Sequence, residues 1–303
     1  MDLRIAHIGL AGYGEVGRIF AAGMRSQPGV SSSSAWDLKF ADAATAPALR
    51  ASAADAGVVA CESMAAMCSR SDLVISAVTA SNTLAVAQEA ARHLRPGSLF
   101  LDLNSASPGT KRQAAALVEA AGASYVEAGV MTSVPPYGIK VPMLLGGPRA
   151  SELAVLLQGW GLDAKAVSEQ LGVASAIKMC RSVMIKGLEA LVIESYSTAR
   201  RYGVEAQVLP TLAETFPSID WEKQGAYFFM RVAQHGQRRA EEMRESANTV
   251  REAGFEPLMA SAIADKQQWM ADLAASGLFA GLDAKAPWQA YADRLIEARR
   301  QED

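Results

Sequence analysis

The chain has 303 residues, half of them hydrophobic and a fifth charged, with a formal net charge of −3 at pH 7. This length fits roughly two domains, and the small negative charge disfavours a nucleic-acid partner. The apolar stretches fall well short of the ~20 residues that span a bilayer, so no membrane association is expected. The N-terminal residues lack a signal-peptide pattern and the three cysteines lack metal-ligand spacing. We therefore predict reduced thiols, no metal site and a cytoplasmic location.

The first half of the chain alternates short apolar runs with alanine-rich helical patterns. Helical patterns such as 16–25 and 82–93 separate several of the runs, which predicts a parallel sheet with helices on its faces. Ser151 is predicted to cap a short helix that runs to residue 158. The serine run 31–34 is predicted to be a loop before the second strand. The predicted strands are 5–11, 35–40, 57–60, 73–78, 98–103, 124–130 and 141–145.

The second half has only helical patterns. The first is long and free of proline, over residues 174–202, and Gly203 is predicted to end it. Gly187 inside this pattern costs about 1 kcal/mol relative to alanine, which indicates close packing or a ligand at that point. Further helices are predicted at 206–216, 221–253, 257–273 and 288–300. The predicted organisation is an α/β domain over residues 1–165 and an all-helical domain over 166–303, which opens with the long helix.

A glycine-rich turn, Gly12-Tyr13-Gly14-Glu15-Val16-Gly17, lies between the first predicted strand and the first predicted helix. The first glycine permits a tight turn, the second lets the backbone approach a pyrophosphate, and the third lets the helix pack closely on the strand. The N-terminus of the helix offers free N–H groups to phosphates. We therefore predict a Rossmann-type doubly wound parallel sheet whose turn residues Gly12, Tyr13, Gly14, Glu15 and Val16 bind a dinucleotide. The alternative is a glycine-rich turn without a ligand.

The choice between dinucleotides depends on the end of the second strand. Asp37 lies where an acidic side chain accepts hydrogen bonds from the adenosine ribose and repels a 2′-phosphate, so NAD is the expected cofactor. Lys39 could partly offset this repulsion, which leaves NADP possible. The alternative for Asp37 is an aspartate that caps a loop. Val78 and Thr79, at the end of the fourth predicted strand, are also predicted to contact the cofactor.

Four segments in the first two-thirds of the chain, 8–14, 102–108, 141–147 and 171–178, resemble the β-hydroxyacid dehydrogenases and 6-phosphogluconate dehydrogenase. The second, Asp102-Leu103-Asn104-Ser105-Ala106-Ser107-Pro108, is similar to the family's Asp-x-Ser-Thr-x-x-Pro substrate loop. The spacing from Gly172 to Lys178 matches the family's Gly-x-Gly-x-x-x-Lys. The resemblance implies an NAD(P)-dependent dehydrogenase of a small-molecule substrate that forms a homodimer through its helical domain.

Two segments depart from the family pattern. Arg181 and Ser182 stand where the family has Asn, or His-Asn, after its lysine. Met131-Thr132-Ser133 stands in place of the family's Ser-Gly-Gly. Residues 181–187 and 235–243 are more similar to a phosphogluconate dehydrogenase-like subgroup with its own helical C-terminal domain. Phosphogluconate itself is therefore not carried over as the substrate.

Oxidation of an alcohol by NAD requires a group that takes the hydroxyl proton. The resemblance assigns this role to Lys178, which would act as base in oxidation and as acid in reduction; the alternative is a surface lysine on a helix. Asn104, Ser105 and Ala106 follow the fifth predicted strand, at the edge where ligands bind in such sheets. Asn104 is expected near the nicotinamide ribose or the substrate, and Ser105 at the substrate's polar end. The alternative is that this segment caps the helix that begins near residue 108, with Ser107 as the cap.

Further substrate contacts are predicted from loop and helix positions. Thr132 and Ser133 occupy the place of the family's second substrate loop. Arg181 and Ser182 lie one helical turn beyond Lys178, and Arg181 could hold a carboxylate in a bidentate pair. Lys186 on the same helix could face the same cleft; a structural salt bridge is the alternative for either cation. His235, with Arg239 one turn on, could close the site, although a solvated polar face is the alternative.

Two other functions are weighed against the dehydrogenase. Imine reductases resemble the same family, but they generally lack a lysine at this position, so Lys178 counts against this activity. A dinucleotide-binding regulator without turnover is disfavoured by the presence of Lys178, Asn104 and Ser105. The identity of the substrate is not predicted from the sequence.

Overall fold

The computed structural model describes residues 3–302. The chain forms two compact units, one ending at Met179 and one beginning at Cys180. Strand β8 (Ala164–Ser168) and the first turns of the long helix α7 (Val173–Tyr202) belong to the first unit. The domain boundary predicted near residue 165 stays a prediction.

Within residues 3–302, eight strands form one sheet in the order β3-β2-β1-β4-β5-β6-β7-β8. The pairs are parallel except for β6 and β7, which run antiparallel. The order turns around β1 and β4, as expected of a doubly wound sheet, so the predicted Rossmann-type fold is confirmed. The strands are β1 (His7–Ala11), β2 (Ser32–Trp36), β3 (Val58–Ala60), β4 (Leu73–Ser76), β5 (Leu99–Asp102), β6 (Ser124–Val130), β7 (Met143–Gly146) and β8.

The central strands are buried on both faces because helices cover the sheet on each side. Leu73, Val74 and Ile75 of β4 are all fully buried, although successive strand residues point to opposite faces. Ser107 accepts a hydrogen bond from the Thr110 amide at the start of α5, which confirms it as the cap of that helix. The helices of this unit are α1 (Glu15–Met24), α2 (Ala46–Asp55), α3 (Met64–Cys68), α4 (Thr83–Ala91), α5 (Pro108–Ala120) and α6 (Ala150–Gly159), before α7 begins.

Two local predictions in this unit are wrong. Three residues of the serine run, 32–34, belong to strand β2 rather than to a loop, because Ser33 and Ser34 pair with both neighbouring strands and are buried. The predicted strand over 35–40 therefore ends at Trp36, and Leu38–Phe40 forms a 3₁₀ turn. Ser151 lies inside α6 rather than at its cap, since the helix already begins at Ala150.

The second unit is helical among the described residues, as predicted. Gly203 follows α7 with a φ of +69°, a backbone conformation that favours glycine, and so ends the helix as expected. A Cβ at Gly187 would lie 3.2 Å from Ile263 Cδ1, so close packing explains this glycine. After α7 come α8 (Glu205–Thr215), α9 (Trp221–Glu252), α10 (Leu258–Ala275) and α11 (Trp288–Glu302).

Aromatic side chains fill the core of the second unit. Tyr196, Phe229, Trp288 and Tyr291 are buried, and the rings of Tyr196 and Trp288 meet edge to face at 4.8 Å. Such pairs contribute about 0.5–1.5 kcal/mol beyond the burial of their area. Among the helices of the described residues, none combines the length and the apolar character needed to cross a membrane.

Candidate active site

The glycine turn has the shape that a pyrophosphate requires. Gly12 has a φ of +96°, and a Cβ there would lie 2.5 Å from the Ala77 carbonyl oxygen. A Cβ at Gly17 would collide with the Gly12 carbonyl oxygen, whereas one at Gly14 would meet no atom within 4 Å. Helix α1 begins at Glu15 without a side-chain cap, so its first amides remain available to an anion. The open face at Gly14 and these amides fit a bound dinucleotide.

Asp37 connects the glycine turn to the end of β2. Its Oδ2 accepts a hydrogen bond from the Tyr13 amide at 2.6 Å, and its Oδ1 accepts one from the Lys39 amide at 2.9 Å. Asp37 therefore caps a loop, which was the alternative interpretation. Each carboxylate oxygen can accept a second hydrogen bond, so these contacts leave capacity for a ribose hydroxyl. Tyr13 itself is buried against Phe40, and burial raises the pKa of the Tyr13 phenol.

Asn104 joins the loops that follow β4 and β5. Its Oδ1 accepts a hydrogen bond from the Val78 amide at 2.7 Å, and its Nδ2 donates to Ser76 Oγ at 2.8 Å. The residue is buried, so its amide holds the two loops together. Thr79 is exposed on the β4 loop, where its hydroxyl accepts a hydrogen bond from Asn82. The ligand contacts predicted for Asn104, Val78 and Thr79 stay predictions.

The structure brings two of the predicted site residues together. Lys178 Nζ donates a hydrogen bond of 2.6 Å to Ser105 Oγ, although the two residues are 73 positions apart in the chain. Both residues are half-buried, and Ala106 beside Ser105 is fully buried. Thr132 and Ser133 lie in the loop after β6, exposed and half-buried respectively. An amine and a hydroxyl thus meet at the carboxyl end of the parallel strands.

Strand β6 holds the start of α7, the helix that carries Lys178. Glu127 on β6 is fully buried, and its Oε1 accepts hydrogen bonds from the Gly172 amide at 2.7 Å and the Ala174 amide at 3.1 Å. A Cβ at Gly129 would lie 2.9 Å from the Ala174 carbonyl oxygen and 3.4 Å from Lys178 Cβ. Glycine at this position therefore allows the helix to approach the strand.

A second buried carboxylate lies under the loop that carries Ser105. Asp102 Oδ1 lies 3.0 Å from Lys111 Nζ and accepts a hydrogen bond from the Asn104 amide at 2.8 Å. Asp102 Oδ2 accepts a hydrogen bond of 2.5 Å from the Tyr125 hydroxyl. All of these side chains except that of Asn104 are at least 99% buried. Burial, followed by the Asp102 charge, raises the pKa of Tyr125 well above its ordinary value.

Sequence reasoning missed Lys111, Tyr125 and Glu127 altogether and named Asp102 only as part of a motif. One signal was available for Glu127, because a carboxylate interrupts the apolar strand Ser124–Val130. Buried charges occur in strands only where they are paired or hydrogen-bonded. Lys111 gave no comparable signal, since a lysine in a helix is ordinarily exposed.

The predicted residues of the second unit are found in ion pairs or at the surface. Lys186 Nζ pairs with Glu242 Oε2 at 2.9 Å and donates to Ser182 Oγ at 3.3 Å, so the salt-bridge alternative for Lys186 is confirmed. Arg181 and His235 are exposed. Arg239 is buried in an ion pair with Glu189, so the solvated face weighed for it is wrong. The substrate roles of Arg181, Ser182 and His235 stay predictions.

The thiols and acidic groups give no metal centre within the described residues. Cys61 and Cys68 are buried free thiols and Cys180 is exposed. Burial raises the pKa of Cys68 to about 12. A buried thiol of this kind is inert as a nucleophile.

Two family models match the chain. Residues 7–148 match a model described as the NAD binding domain of 6-phosphogluconate dehydrogenase. Residues 199–270 match a model described as a domain of unknown function, DUF1932. The first match covers the glycine turn, Asp37 and the loop with Asn104 and Ser105. The second lies in the helical unit.

Three solved structures resemble the chain over most of its length. A conserved hypothetical protein from Sinorhizobium meliloti is 40% identical, with 97% of this chain and 96% of that chain covered and a TM-score of 0.75. The conserved protein MTH1747, described as structurally similar to 3-hydroxyacid dehydrogenases, is 31% identical, with coverage of 89% and 99% and a TM-score of 0.68. The 3-hydroxyisobutyrate dehydrogenase of Mycobacterium tuberculosis shares the fold at 19% identity, with coverage of 96% and 99% and a TM-score of 0.67.

Proposed function

This chain is an oxidoreductase that belongs to the β-hydroxyacid and 6-phosphogluconate dehydrogenase-like family, and we propose that it oxidises the hydroxyl group of a small β-hydroxy acid or related alcohol. The observation that carries this proposal is the 2.6 Å hydrogen bond from Lys178 Nζ to Ser105 Oγ. It places an amine that can exchange a proton beside a polar hydroxyl, on the unit that carries the dinucleotide-binding turn.

The residues divide the work between binding and proton transfer. The amides at Gly14 and the start of α1 hold the pyrophosphate, and the nicotinamide, when bound, supplies the hydride acceptor. Lys178 Nζ, in its neutral form, takes the proton from the substrate hydroxyl and returns it in the reverse reaction. Ser105 Oγ orients the amine and hydrogen-bonds the polar end of the substrate. Thr132 and Ser133 would extend this substrate surface.

NAD is the proposed cofactor, and NADP is the weaker one. The hydrogen bond from the Tyr13 amide holds the Asp37 carboxylate next to the glycine turn. A carboxylate there accepts from ribose hydroxyls and repels a 2′-phosphate. Lys39 follows two residues later and is exposed, so it can reduce this repulsion without removing it.

A second copy of this chain is the proposed partner. The second unit exposes several large apolar side chains, at Met184, Leu191, Phe255, Leu258 and Met259. Large apolar side chains exposed on a protein are covered by a partner at many interaction surfaces. A homodimer would cover such a surface, and sedimentation velocity would measure the mass in solution. The cytoplasmic location stays a prediction.

The test is formation of the reduced nicotinamide, followed by its absorbance, across a panel of β-hydroxy acids, sugar acids and aryl alcohols with NAD and NADP in parallel. The Lys178→Ala variant should lower kcat by about 10²–10⁴-fold, as expected when a general base is lost. Calorimetry should show unchanged NAD binding. Lys165→Ala, at an exposed lysine of β8, is the matched control. Full activity of Lys178→Ala would contradict the assignment.

The two other functions give different results in the same experiment. An imine reductase would form no reduced nicotinamide with alcohols, but it would oxidise NADPH when cyclic imines are supplied. A regulator would bind NAD in the calorimeter and turn over no compound of either class. Both results would overturn the dehydrogenase proposal while leaving the dinucleotide site in place.

A further inference from the structure

Two buried carboxylates lie side by side in the sheet, one at the end of β5 and one in the middle of β6. Asp102 and Glu127 are partners in the parallel register of these strands, and both are fully buried. Paired residues of adjacent strands project to the same face of a sheet. Neighbouring carboxylates repel each other and are costly to bury, so each must be stabilised by its own donors.

One donor to Asp102 comes from the segment that carries Ser105, because Asp102 Oδ1 accepts from the Asn104 amide at 2.8 Å. Lys111 on α5 pairs with the carboxylate, and the Tyr125 hydroxyl on β6 donates a hydrogen bond to it. Lys111 Nζ further donates to the Asp102 carbonyl oxygen at 3.1 Å. Because Asn104 directly precedes Ser105, Asp102 fixes the backbone from which the Ser105 hydroxyl projects.

The donors to Glu127 come from the segment that carries Lys178. Glu127 Oε1 accepts from two amides at the start of α7, those of Gly172 and Ala174, where the helix dipole favours a negative charge. Among the residues that the structure describes, Glu127 Oε2 has no hydrogen-bond partner. Glu127 therefore acts on the fold through the start of α7, and Lys178 lies in the second turn of that helix.

We propose that Asp102 and Glu127 are the positioning residues of the Lys178–Ser105 pair: one fixes the serine and the other fixes the lysine, both from adjacent positions in the sheet. Two segments that are distant in sequence are thereby both held by neighbouring residues of the same sheet. The role of this pair in turnover rests on the proposed function, whereas the positioning itself does not. Neither carboxylate touches the proposed substrate, so both act through the residues that they hold.

The test measures the reactivity of the Lys178 amine without any turnover. Trace acetic anhydride acetylates each lysine at a rate set by the accessibility of its amine and by the fraction of that amine that is neutral. Peptide mass spectrometry gives the rate of Lys178 relative to exposed Lys165 in the same sample. Ser105→Ala removes the contact itself and should raise this ratio about threefold or more. Glu127→Ala and Asp102→Asn should raise it by a similar factor. In the Ser105→Ala background they should add little, because all three changes act on one contact.

Conservative variants and a control distinguish a specific displacement of Lys178 from a general destabilisation of the fold. Glu127→Gln keeps an acceptor oxygen for both amides and should restore the wild-type ratio. Should Glu127→Ala fail to fold, Glu127→Asp keeps the charge but shortens the reach, and it should still raise the ratio. The control is Asp72→Ala, since Asp72 also accepts from two backbone amides, those of Ala6 and His7 at 2.9 Å, but at the start of β1 and before β4 rather than within β5 and β6.

Three results would overturn the proposal. The first is an unchanged Lys178 ratio in folded Glu127→Ala and Asp102→Asn. The second is an equal rise in the control Asp72→Ala. The third is a full additional rise in the Ser105→Ala background.

If the enzyme turns over, the two variants should lower kcat at least about tenfold with little change in the Kd for NAD, since small misplacements of reacting groups greatly reduce the rate. Absence of turnover would contradict the proposed function, whereas the acetylation experiment would still test the positioning of Lys178.

Discussion

Gly129 gives the sharpest structural prediction, because it sets how closely α7 approaches β6. In Gly129→Ala the new Cβ would lie 2.9 Å from the Ala174 carbonyl oxygen, whereas ordinary contact begins at 3.4 Å. Strand and helix must therefore separate by about 0.5 Å. The clash is with backbone, so no side-chain rotation relieves it. Overpacking of this kind typically destabilises by about 1–3 kcal/mol.

The displacement also reaches the proposed base, since the new methyl group would touch Lys178 Cβ at 3.4 Å. A misplacement of about 1 Å can cost about 10²-fold in rate, so half that shift predicts about a tenfold fall in kcat. The Lys178 acetylation ratio should rise at the same time. Binding of NAD should stay unchanged, because the glycine turn is untouched.

Thermal unfolding followed by circular dichroism measures the stability term. Each kcal/mol should lower the midpoint by about 2–4 °C for a unit of this size. Gly159→Ala is the matched control, because a Cβ there meets no atom within 4 Å. Since Gly159 lies in α6, that change should be neutral or stabilise by up to about 1 kcal/mol. A Gly129→Ala protein with wild-type midpoint and wild-type acetylation ratio would refute the close approach of α7 to β6.

Three further predictions follow from named contacts. Asp37→Ser should shift the ratio of NAD to NADP affinity towards NADP by about fivefold, the scale of removing one charge repulsion of about 1 kcal/mol. Calorimetry measures the ratio in this variant and in the control Asp42→Ser, which changes an exposed loop aspartate that caps Ala44. An unchanged ratio in Asp37→Ser would remove the role of Asp37. Tyr125→Phe should lower the free energy of unfolding in denaturant by about 1–3 kcal/mol, since it leaves a buried oxygen of Asp102 short of a donor. Tyr196→Phe, whose hydroxyl donates to the Trp221 carbonyl at 3.1 Å, should cost less. The reverse order would contradict the importance of the Tyr125 hydrogen bond to Asp102. Burial raises the pKa of Asp72, but the Ala6 and His7 amides and Arg95 outweigh it and hold that pKa below the ordinary value of 3.8. This stabilisation is therefore present above pH 3.8 and is lost as the pH falls through the lower folded value. Asp72→Asn should accordingly have a lower free energy of unfolding than the wild type at neutral pH. This difference should narrow as the pH falls in an acid unfolding series. A difference that stays constant with pH would refute the contribution of the lowered Asp72 pKa to stability.

Most elements were predictable because their signals are local. The strand–turn–helix at Gly12–Gly17 has its own glycine pattern, and Gly203 and Ser107 are end signals that act within one turn of a helix. The serine run failed for the opposite reason. Ser33 and Ser34 have weak strand propensity and are strand residues only because β1 and β3 pair with them on both sides.

In the candidate site, too, features with local sequence signals were predictable and contacts between distant segments were not. The family pattern at 102–108 and 172–178 predicts Ser105 and Lys178 separately, but their contact depends on the order β5–β6 in the sheet and on the start of α7. Lys111 is a helix residue like any other until Asp102, on another element, is placed beside it. Pairings between distant segments are set by tertiary packing, which a single sequence does not display.

Glu127 shows that a conflict between local pattern and residue type still carries information. Its neighbours in β6 are buried and almost all apolar, so local consistency would place a hydrophobic residue there. A carboxylate persists in such a strand only with dedicated donors, and here the donors are the first amides of the helix that carries Lys178. Because Glu127 Oε1 accepts from the amides that open α7, this carboxylate stabilises the position of the helix that bears the proposed base. The charged residue Glu127 in an otherwise apolar strand is thus explained by the helix that it holds at the candidate site.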